Sequence, residues 1–389
     1  MKPLSKKSSL FTGFAMFAMF FGAGNIVFPL NLGLMAQDKN LFALFGLLIT
    51  AVVVPLMGVI AMAFYRGDVL GFFERMGKTP GFLLALFILS LLGPCGGLPR
   101  CIALSYATFK QFFPSAHLWM FSLFSCGLIF LLTYRKSRLI SLLGSFLTPF
   151  LLISMSIIII KGLMEAPTIP HASQDRELAL FVTGLKEGYN TLDLLPAFFF
   201  SSIILSCLRK NHPEHFEGDQ NARPLLNSML KASAISGLLL AIIYVGLSFL
   251  AAHYSASLSH ISQDLLLSTI AVHVLGPYAG AIVCAAVLLS CLTTAIALAA
   301  VFSDFVHEEV FKGKWSYKGL LGLTLGISFF FSTLEFSGIV RLLAPILEVC
   351  YPGLIVMTVL NLMAKLFYIE VGKKWVPVTF IGTMILQWL

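Results

Sequence analysis

Long apolar runs separated by short polar punctuation dominate this chain of 389 residues. They lie near 10–36, 41–64, 81–109, 117–134, 139–162, 188–207, 229–252, 277–305, 317–334, 337–363 and 376–389. A helix needs about 20 apolar residues to cross a bilayer. With short loops, a chain of this length has room for about 11–14 crossings. The pattern predicts an all-α integral membrane protein of about 11 transmembrane helices. The last run, Val376 to Leu389, reaches only about 21 Å at ~1.5 Å per residue, against a hydrocarbon core of ~30 Å. A short or truncated final helix is expected there. Leu265 to Leu275 is apolar but too short to cross, and is expected along the outer surface or tucked into an outward cavity.

Two runs carry residues that weaken a helix in mid-membrane. The first reads Phe20-Phe21-Gly22-Ala23-Gly24-Asn25-Ile26-Val27-Phe28-Pro29. Glycine adds backbone freedom and proline lacks a donor, although close helix packing through small residues also accounts for such a stretch. The sixth reads Gly188-Tyr189-Asn190-Thr191-Leu192-Asp193-Leu194-Leu195-Pro196-Ala197-Phe198. A carboxylate at the membrane centre costs about 2.5–3.5 kcal/mol on insertion scales, so Asp193 should face a polar cavity or a partner. Two interrupted runs five helices apart, each opening a block of five, match the plan of transporters built from inverted repeats. The repeat rests on spacing alone. The expected layout is a cytoplasmic tail (1–9), a first five-helix repeat (10–162), an extracytoplasmic connection (163–187), a second repeat (188–363) and a final loop and helix (364–389). In such a break, freed carbonyls coordinate a cation, while the N–H groups of the following half-helix attract a carboxylate.

Composition removes most other classes. Hydrophobic residues make up 58% and charged residues 11%, against about 45–50% and about 25% in soluble domains. The net charge of +8 would suggest nucleic acid in a soluble protein; here it reads as loop lysine and arginine, and no nucleic-acid partner is expected. With the N-terminus inside, nineteen basic residues fall on the cytoplasmic side and five outside (Lys39, Lys110, Lys161, Arg176, Lys186), with Arg100 and Arg341 inside spans. That asymmetry predicts a cytoplasmic N-terminus. The first run is too long for a secretory signal core of about 7–15 residues, and is expected to stay as the first span. The seven cysteines include no C-x-x-C pair, and most lie in apolar runs as small hydrophobes.

Other polar residues within the spans are candidates for chemistry. In the eighth, Thr293 and Thr294, with the carbonyl of Ser290, could complete an oxygen-lined Na⁺ site; back-bonding to the preceding turn is the alternative. Arg100 either snorkels or pairs with an acid such as Asp193. Arg341 and Glu348 are seven residues apart, about 10.5 Å along a helix, at the limit of contact. His212-Pro213-Glu214-His215 and His307-Glu308-Glu309 read as solvated loops, without the H-E-x-x-H spacing of a zinc site. An intramembrane enzyme using Asp193, Arg100 and Glu348 is disfavoured, since no metal-ligand or nucleophile–base spacing accompanies them. No organic cofactor is implied. A passive channel would not accumulate solute.

These residues resemble the branched-chain amino acid:cation symporters, the LIV-II or BrnQ-type carriers, from the first span to about Asn361. The resemblance is carried by Phe21-Gly22-Ala23-Gly24-Asn25 with Phe28-Pro29, Gly93-Pro94 with Pro99-Arg100, Gly188-Tyr189 with Thr191 and Asp193, Cys291-Leu292 with Thr294, and Tyr351-Pro352. It implies a leucine-transporter-like five-plus-five fold with broken helices 1 and 6. It also implies import of leucine, isoleucine and valine across the cytoplasmic membrane with Na⁺, or in some members H⁺. By analogy, Gly22, Ala23, Gly24 and Asn25 would meet the substrate, with Ala23 and Gly24 offering N–H groups to its carboxylate. Thr191, Asp193 and Pro196 would face its ammonium and side chain. Carbonyls of Ala18 and Phe21, with Ser290, Thr293 and Thr294, would surround the ion. Pro196 stands where relatives are expected to carry glycine, Arg341 and Glu348 look unusual for their span, and relatives usually have twelve spans.

Overall fold

The computed structural model describes residues 6–134, 148–169, 173–211, 223–367, 377–380 and 382, and the described residues are helical with short connections. The first interrupted run forms two helices, α1 (Lys6–Phe20) and α2 (Ala23–Ala36), broken at Phe21 and Gly22. After a turn at Gln37, whose φ is +48°, the chain returns through α3 (Asn40–Leu48), a π-helical turn (Ile49–Val53) and α4 (Val54–Phe64). The stretch Ala23–Phe64 is 42 residues long. At ~1.5 Å per residue that is about twice the ~30 Å core, so it holds more than one crossing: α2 completes the first, begun by α1, and α3 with α4 makes the second after the turn at Gln37.

The short α5 (Val69–Phe73) leads into α6 (Lys78–Leu92) and α7 (Gly97–Lys110), which share the third run on either side of Gly93-Pro94. Next come α8 (Leu118–Thr133), α9 (Thr148–Met164), α10 (Glu177–Asn190), α11 (Leu194–Asn211), α12 (Arg223–His253) and the one-turn α13 (Ser255–Leu258). Then α14 (Leu266–Phe305) is followed by α15 (Tyr317–Ser332) and α16 (Glu335–Phe367). Within α14, Gly276 with φ +78° separates a first segment, 266–275, from the eighth span. That first segment buries Leu266, Leu267, Ile270 and Ala271, so the apolar stretch around 265–275 is tucked against the bundle.

Among the described residues, five helical stretches are long and apolar enough to cross a membrane, and the pair α10/α11, bent by 42°, makes a sixth. Four shorter apolar helices occupy the runs near 10, 118, 148 and 317. The outermost side chains are apolar: Phe124, Phe330 and Phe367 are at least 65% exposed. In water these would be liabilities; in lipid they are the expected outer face of a helical bundle. The interior is filled by phenylalanines, such as Phe72, Phe73 and Phe198, whose rings lie 5.0–5.4 Å apart.

Several sequence boundaries move. Helix α1 starts at Lys6, inside the stretch expected to be tail. The sixth crossing begins at Glu177, not Gly188. Its charges, Glu177, Lys186 and Glu187, read as loop, yet Gly184 brings its backbone close against α3. A Cβ at Gly184 would sit 2.0 Å from the Ala43 carbonyl, and one at Gly46 would sit 2.2 Å from the Phe181 carbonyl. Such glycine contacts replace bulk with backbone proximity. His307-Glu308-Glu309 is a π-helical turn ending α14, not a loop, with both glutamates exposed. The final run, the start of the 139–162 run and the cluster around His212 lie largely or wholly outside the described residues.

Candidate functional site

At the first break, the Gly22 N–H turns to the Asn25 Oδ1 at 2.8 Å. The ladder bond from Gly22 to Ala18, one turn back, is not made, which takes the Ala18 carbonyl out of the regular helix. The neighbouring Phe21 carbonyl accepts hydrogen bonds from the Ser290 hydroxyl at 2.7 Å and the Thr294 hydroxyl at 3.2 Å. Back-bonding claims only Thr293, which donates to the Ser290 carbonyl at 2.8 Å. Thus α14 is tied to the first break through oxygen atoms, and Ser290, Thr293 and Thr294 are all buried.

At the second break, Leu192 adopts φ +68°, a left-handed conformation that is uncommon for a residue with a Cβ and concentrates at functional sites. Pro196 lies in the first turn of α11, where a missing N–H costs least. The N-terminus of α11 is capped from a distance: the Tyr351 hydroxyl of α16 accepts from the Leu194 N–H at 3.1 Å.

The two breaks touch. A Cβ on Gly24 would lie 2.9 Å from the Thr191 carbonyl oxygen and 3.1 Å from its Cα, so only glycine permits this approach. A buried network joins them: Asn25 Nδ2 donates to both Asp193 carboxylate oxygens at 2.8 Å each. It also meets the hydroxyl of Tyr244 on α12, which in turn donates to Asp193 Oδ2 at 2.8 Å. Asp193 therefore faces a polar partner, as its cost in the membrane requires, and that partner is Asn25 with Tyr244.

The alternative pairing of Arg100 with Asp193 is not formed. Arg100, only 1% exposed, donates from Nη1 to the Asn190 carbonyl at the end of α10, 2.8 Å away. Its guanidinium carbon lies 5.5 Å from the centre of the Phe28 ring. Glu348 pairs with Lys186 at 3.2 Å on an exposed face, and Arg341 is exposed; neither reaches the breaks.

Between the breaks lies a cavity of about 30 Å³. All seven residues expected around a substrate, Gly22, Ala23, Gly24, Asn25, Thr191, Asp193 and Pro196, line it, with Arg100 and Cys101 of α7 and Thr294 of α14. Met19, Phe20, Leu192, Phe200 and Leu298 supply apolar wall. A cavity of that size holds a water; an engineered cavity that binds benzene measures about 150 Å³, so a branched amino acid enters only if the walls part. Of the expected ion residues, Thr294 lines the same cavity, and Phe21 and Ser290 are joined to it through the shared carbonyl. Thr293 is turned back along its own helix.

Sequence reasoning missed four participants. Tyr244 sits in an unbroken apolar run with nothing around it to mark it. Cys101, buried on α7, lines the cavity together with Ala23. Asn31 donates to Glu187 Oε1 at 3.0 Å in a part-buried pair, and Glu187 falls in the stretch that the sequence pattern reads as a connection. A signal existed only for Asn31, a polar residue in a buried span.

Comparison with known proteins places this architecture. A family model described as "Branched-chain amino acid transport protein" matches residues 5–387. A candidate branched-chain amino acid carrier protein of Staphylococcus haemolyticus (strain JCSC1435) is 30% identical, over 97% of this chain and 86% of that protein. One of Staphylococcus aureus (strain USA300) is 28% identical, over 96% and 86%. Among solved structures, Mhp1 in its inward facing conformation superposes with a TM-score of 0.64 at 12% identity, covering 97% of this chain and 89% of that one. The Eremococcus coleocola manganese transporter also gives 0.64, at 14% identity and with 99% and 87% coverage. These likenesses establish the leucine-transporter-like fold with its first and sixth spans broken. The chain belongs to the branched-chain amino acid transport protein family and is an integral membrane carrier.

Proposed function

We propose that this protein imports leucine, isoleucine and valine by symport with Na⁺, alternating the access of one central site between the two sides of the cytoplasmic membrane, with its N-terminus inside. The observation that carries the reading is the meeting of both helix breaks at one buried cavity with apolar and polar walls. The apolar wall of Met19, Phe20, Phe200 and Leu298 suits an aliphatic side chain. Discrimination among the three substrates should be modest, because one methylene in such a pocket is worth about 1–3 kcal/mol. Asp193 and the backbone of the second break face the ammonium.

The donor set near the first break fits Na⁺: the Phe21 and Ala18 carbonyls and the Ser290 and Thr294 hydroxyls are neutral, hard oxygens at an interrupted helix. The inward Na⁺ gradient supplies the driving force. The two hydroxyls now donate to Phe21; rotated about their C–O bonds, they offer lone pairs instead. The Asn25–Asp193–Tyr244 network makes the two breaks move as one body with α12.

The test is uptake of a panel of labelled amino acids into proteoliposomes under separate Na⁺ and pH gradients. Accumulation of leucine, isoleucine and valine with the Na⁺ gradient supports the reading. Uptake indifferent to both gradients defeats the coupling, and preference for another amino acid class defeats the substrate assignment.

A further inference from the structure

The guanidinium of Arg100 is fully enclosed, and only one of its nitrogens is in use. Nη1 is anchored on the Asn190 carbonyl and Phe28 lies against the group, which fixes its orientation. Nε and Nη2 have no hydrogen-bond partner among the described residues. A buried donor left unpaired carries its full desolvation cost, more so when charged. These two atoms are not arbitrary leftovers. Together they form the side edge of the guanidinium, whose two parallel N–H bonds match the two oxygens of a carboxylate.

Neighbouring carboxylates do not fill that edge. Asp193 is held by Asn25 and Tyr244, and Glu187, held by Asn31 through Oε1, leaves Oε2 without a hydrogen-bond partner among the described residues rather than turning it to Arg100. One backbone donor of the first break is also engaged: the Gly22 N–H is taken by Asn25. Arg100 lines the same cavity as these groups.

We propose that Arg100 is the principal docking group for the substrate's α-carboxylate, which bonds Nε–H and Nη2–H in a two-pronged pair. The inference rests on the carrier reading above and adds to it which protein charge meets the zwitterion. It assigns Arg100 a binding role beyond its cap on α10.

Competition against labelled leucine in the purified protein tests it, using leucine and leucinamide, which differ only in the carboxylate. In the wild type, leucinamide should bind about 10- to 100-fold more weakly, as expected for loss of charge-assisted hydrogen bonds. In Arg100→Gln the two ligands should differ by no more than about threefold, since the charged edge is gone. Arg100→Lys keeps the charge but not the planar edge, and its ratio should fall between the two; it serves if the glutamine variant does not fold. A folded variant that binds leucine more weakly yet keeps the wild-type ratio overturns the proposal and leaves Arg100 as a helix cap. Wild-type protein that discriminates against neither ligand also overturns it. Folded wild-type protein that binds no leucine refutes the carrier reading itself, and is thereby told apart.

Discussion

Exchanging the partners across the two breaks is the sharpest test of the network. In Asp193→Asn, one carboxylate oxygen becomes an NH₂ group. Asn25 Nδ2 reaches both oxygens at 2.8 Å, so either orientation of the new amide sets donor against donor. The remaining bond from Tyr244 loses its charged acceptor. Hydrogen bonds to charged groups contribute about 1.5–3 kcal/mol each, and at least one is lost outright. The single variant should therefore lower the stability of detergent-solubilised protein by about 1.5–3 kcal/mol and impair leucine uptake, with membrane expression near normal. Asn25→Asp alone places a second carboxylate against the first and should be worse. The double variant, Asn25→Asp with Asp193→Asn, restores one donor and one acceptor across the gap. It should recover at least about 1 kcal/mol relative to the sum of the singles, within the usual coupling range for residues in contact. Thermal unfolding of the four proteins measures this cycle. Strict additivity would refute the claim that these side chains hold the breaks together.

Three further outcomes follow from the geometry. Gly24→Ala puts a methyl 2.9 Å from the Thr191 carbonyl oxygen, and should cost about 1–3 kcal/mol as overpacking; unchanged unfolding and unchanged leucine binding would contradict the close contact. Thr294→Ala removes one oxygen and its 3.2 Å bond to Phe21, worth about 0.5–1.5 kcal/mol. It should raise the Na⁺ concentration for half-maximal uptake several-fold with expression intact; an unaltered Na⁺ dependence removes Thr294 from the site. Glu348→Gln breaks an ion pair whose side chains are 42% and 49% exposed, so stability should change by less than about 1 kcal/mol, and a large loss of uptake would show that this exposed charge takes part in transport.

The breaks were legible because glycine, asparagine, aspartate and proline are rare in a membrane helix and stood out against leucine and phenylalanine. Gly22 to Asn25 and Thr191 to Pro196 both flank interruptions, and both line the cavity. What those residues bond to was not legible. Arg100 suggested Asp193 by charge alone, whereas the fold gives Asp193 to Asn25 and Tyr244, 168 and 51 residues away. Such pairings depend on how helices pack, which no local pattern encodes. The same limit hid the first half of the sixth crossing: Glu177 to Glu187 is polar on one face, and its membrane-embedded character rests on glycines meeting the backbone of α3. The π-helical turn Ile49–Val53 leaves no mark in an unbroken apolar run.

The central claim is that one site between the breaks takes both an amino acid and Na⁺. Leucine affinity of the purified protein, measured by equilibrium binding as Na⁺ is raised at constant ionic strength, tests it most directly. Binding at a shared site must be reciprocal, so leucine should bind more tightly as Na⁺ increases, and Na⁺ more tightly as leucine increases. A leucine dissociation constant that stays level across the whole Na⁺ range would contradict the account.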